Sequence, residues 1–503
     1  MNISDIITAN SKRIAAWPAV ISEEQEISWG EFDSKINKMG NALLRCGISK
    51  GDRVAMYLPN SPEYLITYFA IAKIGAIAVP FNIMYKSSEI NYIMNNSQAS
   101  ILVGASKEVA ENVVGIREEL PSLNHIISVG DNEHINNSTS FSSIMENEND
   151  VLETVDCSPE DVATILYTSG TTGNPKGAML THKNFWDQSD LNGCYILHIN
   201  DQDRLLTAAP FCHIFFVTTV LGPMYKGAAV VTMERFAPDK ALEMIDKFQV
   251  THFAGVPTMY IYMLQHYREN KSKYNLNTLR IAQSAGSAMP GDFIPQIEEN
   301  FNVHYCECYG ATETAAACSY ERVGHAKPGS IGLTAHTWQV KIVNSENQEA
   351  PTGEVGEIIV KGPGVFKGYW NMPEATDAAF SSGWFHTGDL AYKDEDGYLF
   401  IVDRKKDMII CGGYNVYPRE IEELILSHPE VLETAVIGVE DTEKGEIPKA
   451  FVVPKKTGNI SESDIVDYCK KHLAAYKAPR IVNILEELPK TSTGKILKRE
   501  LSK

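Results

Sequence analysis

The densest run of chemistry-bearing residues lies between Tyr167 and Gly177 (YTSGTTGNPKG), where Thr168, Ser169, Thr171 and Thr172 alternate with Gly170, Gly173 and Gly177 around one cation, Lys176. Glycine lets backbone N–H groups converge, and with hydroxyls and an ammonium they form a cradle for a polyphosphate. The pattern is not a Walker A loop, which needs Gly-Lys-Ser/Thr opening a helix; here Pro175 precedes Lys176 and Gly177 follows. The plain alternative is a mobile surface loop. Against it stands the entropy of ordering so many glycines and hydroxyls, which a ligand would offset.

Two further constellations suit a nucleotide. Tyr309–Thr314 (YGATET) brings an aromatic face, a backbone turn, hydroxyls and the carboxylate Glu313 together. His386–Asp389 (HTGD) ends in a carboxylate after a glycine, and its two oxygens can accept both hydroxyls of a ribose. A solvated surface carboxylate is the competing reading of Glu313 taken alone. The nine cysteines are scattered except for Cys306 and Cys308, and no CxxC pair accompanies a His pair at zinc spacing. They read as free, mostly buried thiols, with Cys306 and Cys308 on one side of a strand end.

The elements that must hold these residues follow from pattern. At 503 residues the chain exceeds one core and suggests roughly three compact units. Asp52–Leu58, Ala76–Val79, Ser100–Val103, Ala228–Thr232 and Thr251–Val256 read as short strands. Helical patterns lie between them, Ser61–Ile74 most clearly. This alternation predicts an α/β class with layered subdomains in a large N-terminal domain. The apolar run Val162–Leu166 is positioned to deliver the glycine loop. Asn132–Asp150 is polar and reads as a surface excursion. From Gly332 short runs separated by Gly and Asp turns (WQVKIVN, GEIIVKG, GYLFIVDR) predict a small antiparallel β unit. A basic stretch at Asp403–Asp407, then a helix from Pro418, begin a small mobile α+β domain. The expected boundary divides 1–403 from 404–503.

Charge limits the partners. The net charge is −19, and it lies almost wholly before Arg404, because the residues from Arg404 onward carry 17 Lys and Arg against 16 Asp and Glu. Such a balance argues against a nucleic-acid backbone or an anionic bilayer as partner. The apolar run Tyr64–Phe81 contains Lys73 and breaks at Gly75 and Pro80, so a buried helix and strand fit it better than a membrane span. The first residues lack a secretory pattern, and a cytosolic protein is expected.

Six signatures then appear in one order along the chain: YTSGTTGNPKG, PFCHIFF, YGATET, HTGD, DRKKD with GGYNVYP, and PKTSTGKILKR. Together they resemble the adenylate-forming superfamily of acyl-CoA synthetases, stand-alone adenylation enzymes and beetle luciferase, across nearly the whole chain. The resemblance implies ATP and Mg2+ as cofactors, with an N-terminal AMP-binding domain and a C-terminal lid hinged near Lys406. It makes Thr168, Ser169, Gly170, Thr171, Thr172, Gly173 and Lys176 the phosphate loop. Tyr309 lies against adenine, Gly310 and Thr312 approach the α-phosphate, and Glu313 with Thr168 holds Mg2+. Asp389 and Arg404 hold the ribose. Lys495 becomes the catalytic lysine of adenylation, whereas Lys490, Lys498 and Arg499 read as solvated. Gly412 and Gly413 line a passage for a pantetheine arm. His213 stands at the junction of acyl and thiol channels. Gly286 and Ser287, in the turn Ser284–Met289, and Glu307 and Cys308, before Tyr309, border acyl group and adenine.

The resemblance implies a two-step reaction, acyl-AMP formation and then attack by a thiol. Neither PFCHIFF nor the Ser284–Met289 turn carries an Asp for an ammonium or an Arg for a second carboxylate, which favours a neutral, apolar acid, medium- or long-chain aliphatic first. Three departures bear on this. Cys308 stands where Gly commonly precedes the tyrosine, Ser287 and Met289 alter the pocket turn, and Tyr414 replaces a frequent Glu. The acceptor thus remains CoA or a carrier-protein phosphopantetheine, and an aryl acid or a luciferase-like oxygenation are further alternatives. Oligomeric state leaves no mark in the sequence.

Overall fold

Ser61 and Pro62 start a helix where side-chain chemistry favours one: the Ser61 hydroxyl accepts from the Tyr64 N–H at 3.2 Å and Pro62 occupies the first turn of Pro62–Lys73. The same device recurs at Ser28, whose hydroxyl and Glu31 form a capping box for Trp29–Arg45, and prolines open Pro238–Lys247, Pro257–Asn270 and Pro418–Leu426. Lys73 ends its helix almost wholly buried, with its ammonium 2.7 Å from Asp33 and 3.2 Å from the Thr8 hydroxyl. A buried charge paired in this way belongs to a protein core. Among the described residues no helix is long and apolar enough to cross a membrane.

The structure, a computed structural model, describes residues 1–131, 135–168, 175–455, 460–490 and 496–501. Packing divides the chain into two units. The first comprises Met1–Ala326, Ala335–Gln339 and Lys361–Phe385; the second comprises Lys327–Thr334, Val340–Val360 and His386–Lys503.

In the first unit one sheet is ordered Ser138–Ser140, His125–Val129, Ile101–Ala105, Arg53–Tyr57, Ile77–Pro80, Val162–Thr168 and Lys176–Thr181. Its strands are parallel except for the last pair. The excursion expected at Asn132–Asp150 is thus partly structural. It supplies the edge strand Ser138–Ser140, and Ser140 caps the short helix Phe141–Met145, which buries Phe141 and Ile144. The second sheet runs Ala316–Tyr320, His304–Ala311, Ile281–Ser284, His252–Gly255, Arg204–Thr207, Ala229–Thr232, Pro18–Ile21 and Glu26–Ser28. Here too the inner pairs are parallel, with Ala316–Tyr320 and Glu26–Ser28 antiparallel to their neighbours.

Length alone suggested about three units, but both sheets belong to one. The buried Asn60 joins them, donating to the carbonyls of Ala209 at 2.9 Å and Met233 at 3.1 Å while accepting from Phe211 N–H at 2.8 Å. Leu242, Ile245, Phe253, Met263, Ile297 and Phe301 pack between the second sheet and its helices. Each such fully buried side chain contributes about 1.5–3 kcal/mol.

In parallel α/β sheets, ligands gather at the carboxyl ends of strands. Here Val162–Thr168 ends in the glycine loop, Arg204–Thr207 leads to PFCHIFF, Ile281–Ser284 to the Ser284–Met289 turn, and His304–Ala311 into YGATET.

The second unit contains the predicted antiparallel strands. Gln339–Val343, Gly356–Lys361, Trp384–Lys393 and Leu399–Arg404 follow one another across a sheet, with Asp389 directly opposite Arg404. A further sheet carries Tyr414–Val416, Ile409–Cys411, Gly445–Pro454 and Val431–Asp441, with Ile481–Ile484 beside Gly445–Pro454. Ile421, Ile425, Val436, Val452, Ile465 and Cys469 form the core between this sheet and the helices Pro418–Leu426 and Glu462–His472.

Candidate active site

The strands on either side of the glycine loop, Val162–Thr168 and Lys176–Thr181, pair antiparallel. Tyr167 pairs with Gly177 and Thr168 with Lys176, so the first hydroxyl and the lysine stand opposite each other at its mouth. Ser169, Gly170, Thr171, Thr172 and Gly173 lie outside the described residues. Gly177 is required by packing, since a Cβ there would meet Ile165 Cγ2 at 2.7 Å.

From the mouth of the loop a chain of contacts runs to YGATET. The Lys176 ammonium lies 5.0 Å over the ring of Tyr369, and the Tyr369 hydroxyl donates to Glu313 Oε1 at 2.8 Å. Burial first, and the Glu313 charge second, push the Tyr369 phenol well up, so it remains a donor. The segment bearing Tyr369 is seated by backbone bonds, with Trp370 N–H donating to Gly177 O at 2.7 Å and Phe366 N–H to Glu313 O at 2.9 Å. Sequence reasoning missed Tyr369. No signal marked it beyond an aromatic residue after Gly368.

YGATET itself turns sharply at the end of its strand. A Cβ on Gly310 would fall 1.6 Å from Ala316 O, so only glycine fits. Beyond Thr312–Thr314 the backbone enters the left-handed region at Ala315 (φ +48°) and Ala316 (φ +91°), held there by Thr314, whose hydroxyl accepts from Ala311 N–H and donates to Ala316 O, both at 2.7 Å. Strain of this kind in a non-glycine residue persists only where the surroundings over-determine it. The turn thereby presents half-buried Tyr309, Thr312 and Glu313 on one rigid corner.

Glu307 and Cys308 occupy a different place. Glu307 is 2% exposed and its carboxylate accepts from Met289 N–H at 3.2 Å and from the Tyr305 hydroxyl at 3.4 Å, which holds the Ser284–Met289 turn down. Cys308 is buried, accepts from the Gln283 amide at 3.0 Å, and burial pushes its thiol up to about 12. Gly286 takes φ +91° within the turn, and it and Ser287 are exposed.

His213 is half-buried, with Nδ1 accepting from Phe215 N–H at 3.2 Å, which leaves the ring proton on Nε2. Around it Tyr64, Tyr68, Phe211 and Phe216 form an aromatic cluster, and burial raises the Cys212 thiol to about 12. Asn60, also missed in the sequence, fixes this segment through Phe211 N–H.

In the second unit Asp389 is nearly buried and its Oδ1 lies 3.3 Å from Arg404 Nε. Glu357, on the neighbouring strand, reaches the segment that leads into Asp389, with Oε1 accepting from Gly388 N–H at 3.2 Å and Oε2 3.0 Å from Lys405 and 3.2 Å from His386 Nδ1. Burial alone would raise the Glu357 carboxyl; Lys405 and His386 outweigh it and hold the group below the usual carboxylate range. Lys406 is exposed. Gly412 (φ +59°) and Gly413 (φ +83°) form the two-residue turn between Ile409–Cys411 and Tyr414–Val416, with open space where their Cβ atoms would be.

Lys495 lies outside the described residues. The residues flanking its segment correct one expectation. Lys490 pairs with Glu433 at 2.5 Å and Lys498 with Glu422 at 2.7 Å, and both lysine side chains are about three-quarters buried rather than solvated. The cause is the sheet and helix beneath them, which supply the acids from Val431–Asp441 and Pro418–Leu426.

The donor set fits the cofactors the motifs imply. A threonine hydroxyl and a carboxylate are hard oxygen donors, and Mg2+ takes few protein ligands beside phosphates and water. Among the described residues no group of three or more His, Cys, Asp or Glu forms a metal cage.

Within the first unit, the strand that leads into the glycine loop and the strained acidic corner at the end of His304–Ala311 bring a lysine, hydroxyls and a carboxylate of the kind that handles a nucleoside triphosphate. Two family models match, AMP-binding enzyme over residues 7–370 and AMP-binding enzyme C-terminal domain over 420–495. The chain belongs to the AMP-binding enzyme family. It is 35% identical to a long-chain-fatty-acid–CoA ligase of Bacillus subtilis (strain 168), covering 99% of this chain and 94% of that protein. It is also 35% identical to a feruloyl-CoA synthase of Amycolatopsis sp, covering 94% and 93%. Its fold superposes on the anthranilate CoA ligase AuaEII in complex with anthranoyl-AMP with a TM-score of 0.93, at 31% identity over 100% of this chain and 96% of the other.

Proposed function

We propose that this enzyme activates a neutral, apolar carboxylic acid, a medium- or long-chain aliphatic one, as its acyl-adenylate and passes the acyl group to CoA. The chain is an acyl-CoA synthetase of the AMP-binding family and uses ATP, Mg2+ and CoA. The observation that supports the nucleotide half best is the contact chain Lys176, Tyr369, Glu313, which ties the loop mouth to the acidic corner within one unit. Support for a neutral acid comes from Phe211, Cys212, Ile214 and Phe216 beside His213, and from the absence of Asp, Glu, Lys and Arg in PFCHIFF and in Ser284–Met289.

In the first half-reaction a carboxylate oxygen of the acid attacks the α-phosphorus of ATP, the bond to the bridging oxygen breaks in line, and pyrophosphate leaves. Lys176 and the glycine loop hold the departing phosphates. Thr168 and Glu313 would hold Mg2+, which when bound would offset phosphate charge. Tyr309 supports adenine, Thr312 the α-phosphate, and Asp389 with Arg404 the ribose. Lys495 bridges developing charge at the attacked centre. In the second half-reaction the thiol of CoA attacks the acyl carbonyl and AMP leaves. The segment 404–503 turns about Lys406 between the halves, bringing Gly412 and Gly413 to the thiol's path and withdrawing Lys495. His213 stands where acyl and thiol paths meet. All nine cysteines are free thiols, which suits a reducing compartment such as the cytoplasm.

An aromatic acid is the second reading, because the feruloyl-CoA synthase matches at the same 35% identity as the fatty-acid enzyme. A panel of aliphatic and aromatic acids, assayed for AMP and CoA-thioester, separates the two. AMP release that needs a carrier protein rather than CoA would overturn the acceptor. Lys495→Ala is expected to lose adenylation while supplied acyl-AMP is still converted to thioester; equal loss in both halves would sink the role given to Lys495.

A further inference from the structure

We infer that Glu357 is the positioning residue for the ribose-binding carboxylate: from the neighbouring strand it fixes the His386–Asp389 segment, and through that segment the aim of Asp389. This rests on the reading of Asp389 as the ribose ligand. Asp389 is reached through a glycine with φ +74°, a backbone that does not hold its own geometry. Three contacts stiffen it. Gly388 N–H donates to Glu357 Oε1 at 3.2 Å, Gly388 O accepts from Lys405 N–H at 2.9 Å, and Asp389 N–H donates to the Thr387 hydroxyl at 3.1 Å, which itself donates to Ile358 O at 2.8 Å. Two of these partners, Glu357 and Ile358, are neighbours on Gly356–Lys361, so one strand anchors the segment at successive residues.

The obvious competitor for the role is Arg404, directly across from Asp389. Its side chain is 57% exposed, and solvent screens an ion pair of that kind to little net effect. Glu357, 10% exposed, gathers Gly388 N–H, His386 and Lys405 around one carboxylate, and a hydrogen bond to a largely buried charged group is stronger than an exposed ion pair. The buried acid therefore sets the segment before Asp389, and the exposed arginine follows it. Lys405 extends the same carboxylate to the residue next to Lys406, linking the strand segment before Asp389 to the proposed hinge.

The test uses the whole enzyme and reads nucleotide discrimination. Glu357→Gln keeps an acceptor for Gly388 N–H but turns an amide N–H toward His386 and Lys405. It is expected to narrow the kcat/KM preference for ATP over 2′- and 3′-deoxy-ATP by about tenfold or more, the value of one charged hydrogen bond. Asp389→Asn, measured beside it, is expected to narrow the same preference. If Glu357→Gln lowers activity with ATP and the deoxy nucleotides alike, its role is only structural and the inference falls while the ribose reading stands. If Asp389→Asn leaves the preference unchanged, both fall. Should Glu357→Gln not fold, His386→Leu removes a donor from the same carboxylate, and an unchanged preference there overturns the inference equally.

Discussion

Replacing Tyr369 with phenylalanine isolates one hydroxyl in the proposed metal and phosphate site. The ring stays, and with it the seat under the Lys176 ammonium 5.0 Å away; only the 2.8 Å hydrogen bond to Glu313 Oε1 is lost. Tyr369 is 9% exposed, so water cannot replace that donor without moving the ring. A hydrogen bond to a buried or half-buried charge is worth about 1.5–3 kcal/mol, which at 1.36 kcal/mol per decade is roughly 10- to 150-fold. If Glu313 must be aimed to receive Mg2+, that factor appears in kcat/KM for ATP and as a higher Mg2+ requirement. The phenol is pushed up by burial and by Glu313, so the deficit is constant between about pH 6 and 9. Pyrophosphate release in the presence of saturating acid, titrated with Mg2+, measures it. A variant whose Mg2+ curve and kcat/KM lie within twofold of the parent would refute the idea that Tyr369 aims Glu313.

Two further outcomes concern stability. Lys498→Met leaves Glu422 buried without its partner at 2.7 Å, and breaking such a pair costs about 3–5 kcal/mol; a lowered thermal midpoint checks it, and an unchanged one means the pair is idle. His182 is fully buried, and desolvation depresses it to about 4 despite the opposing charge of Asp161. The unfolded chain takes up that proton near 6.5 and the folded one does not, so stability is lost as pH falls from about 6.5 toward 4, by about 3 kcal/mol in all. In His182→Gln, which keeps an acceptor for the Ile3 N–H, this part of the pH dependence of unfolding should vanish; its persistence would place the titration elsewhere.

Much of the candidate site can be proposed from the sequence because its chemistry is local. Glycines, hydroxyls and one lysine within a short loop, or a carboxylate after a glycine in HTGD, declare a ligand type without knowledge of the fold. What escaped were residues that bond to a distant partner: Tyr369 to Glu313, 56 positions away, Asn60 to the His213 segment, and Glu357 to Gly388 before Asp389. None carries a distinguishing neighbour in sequence. Lys490 and Lys498 were misread for the same reason, since a basic terminus is ordinarily solvated and only the acids folded beneath it show otherwise.

The sequence by itself determined the α/β alternation, the helix starts at Ser61 and Pro418, the hairpin strands after Gly332 and the family signatures, because periodicity, caps and turn residues act over a few positions. Tertiary structure alone decided that two sheets share one unit, that Lys176 and Glu313 are joined through Tyr369, and that Glu307 holds the pocket turn instead of facing outward. Those are questions of which strand ends converge, and convergence is set by long-range packing of apolar faces that no local pattern encodes.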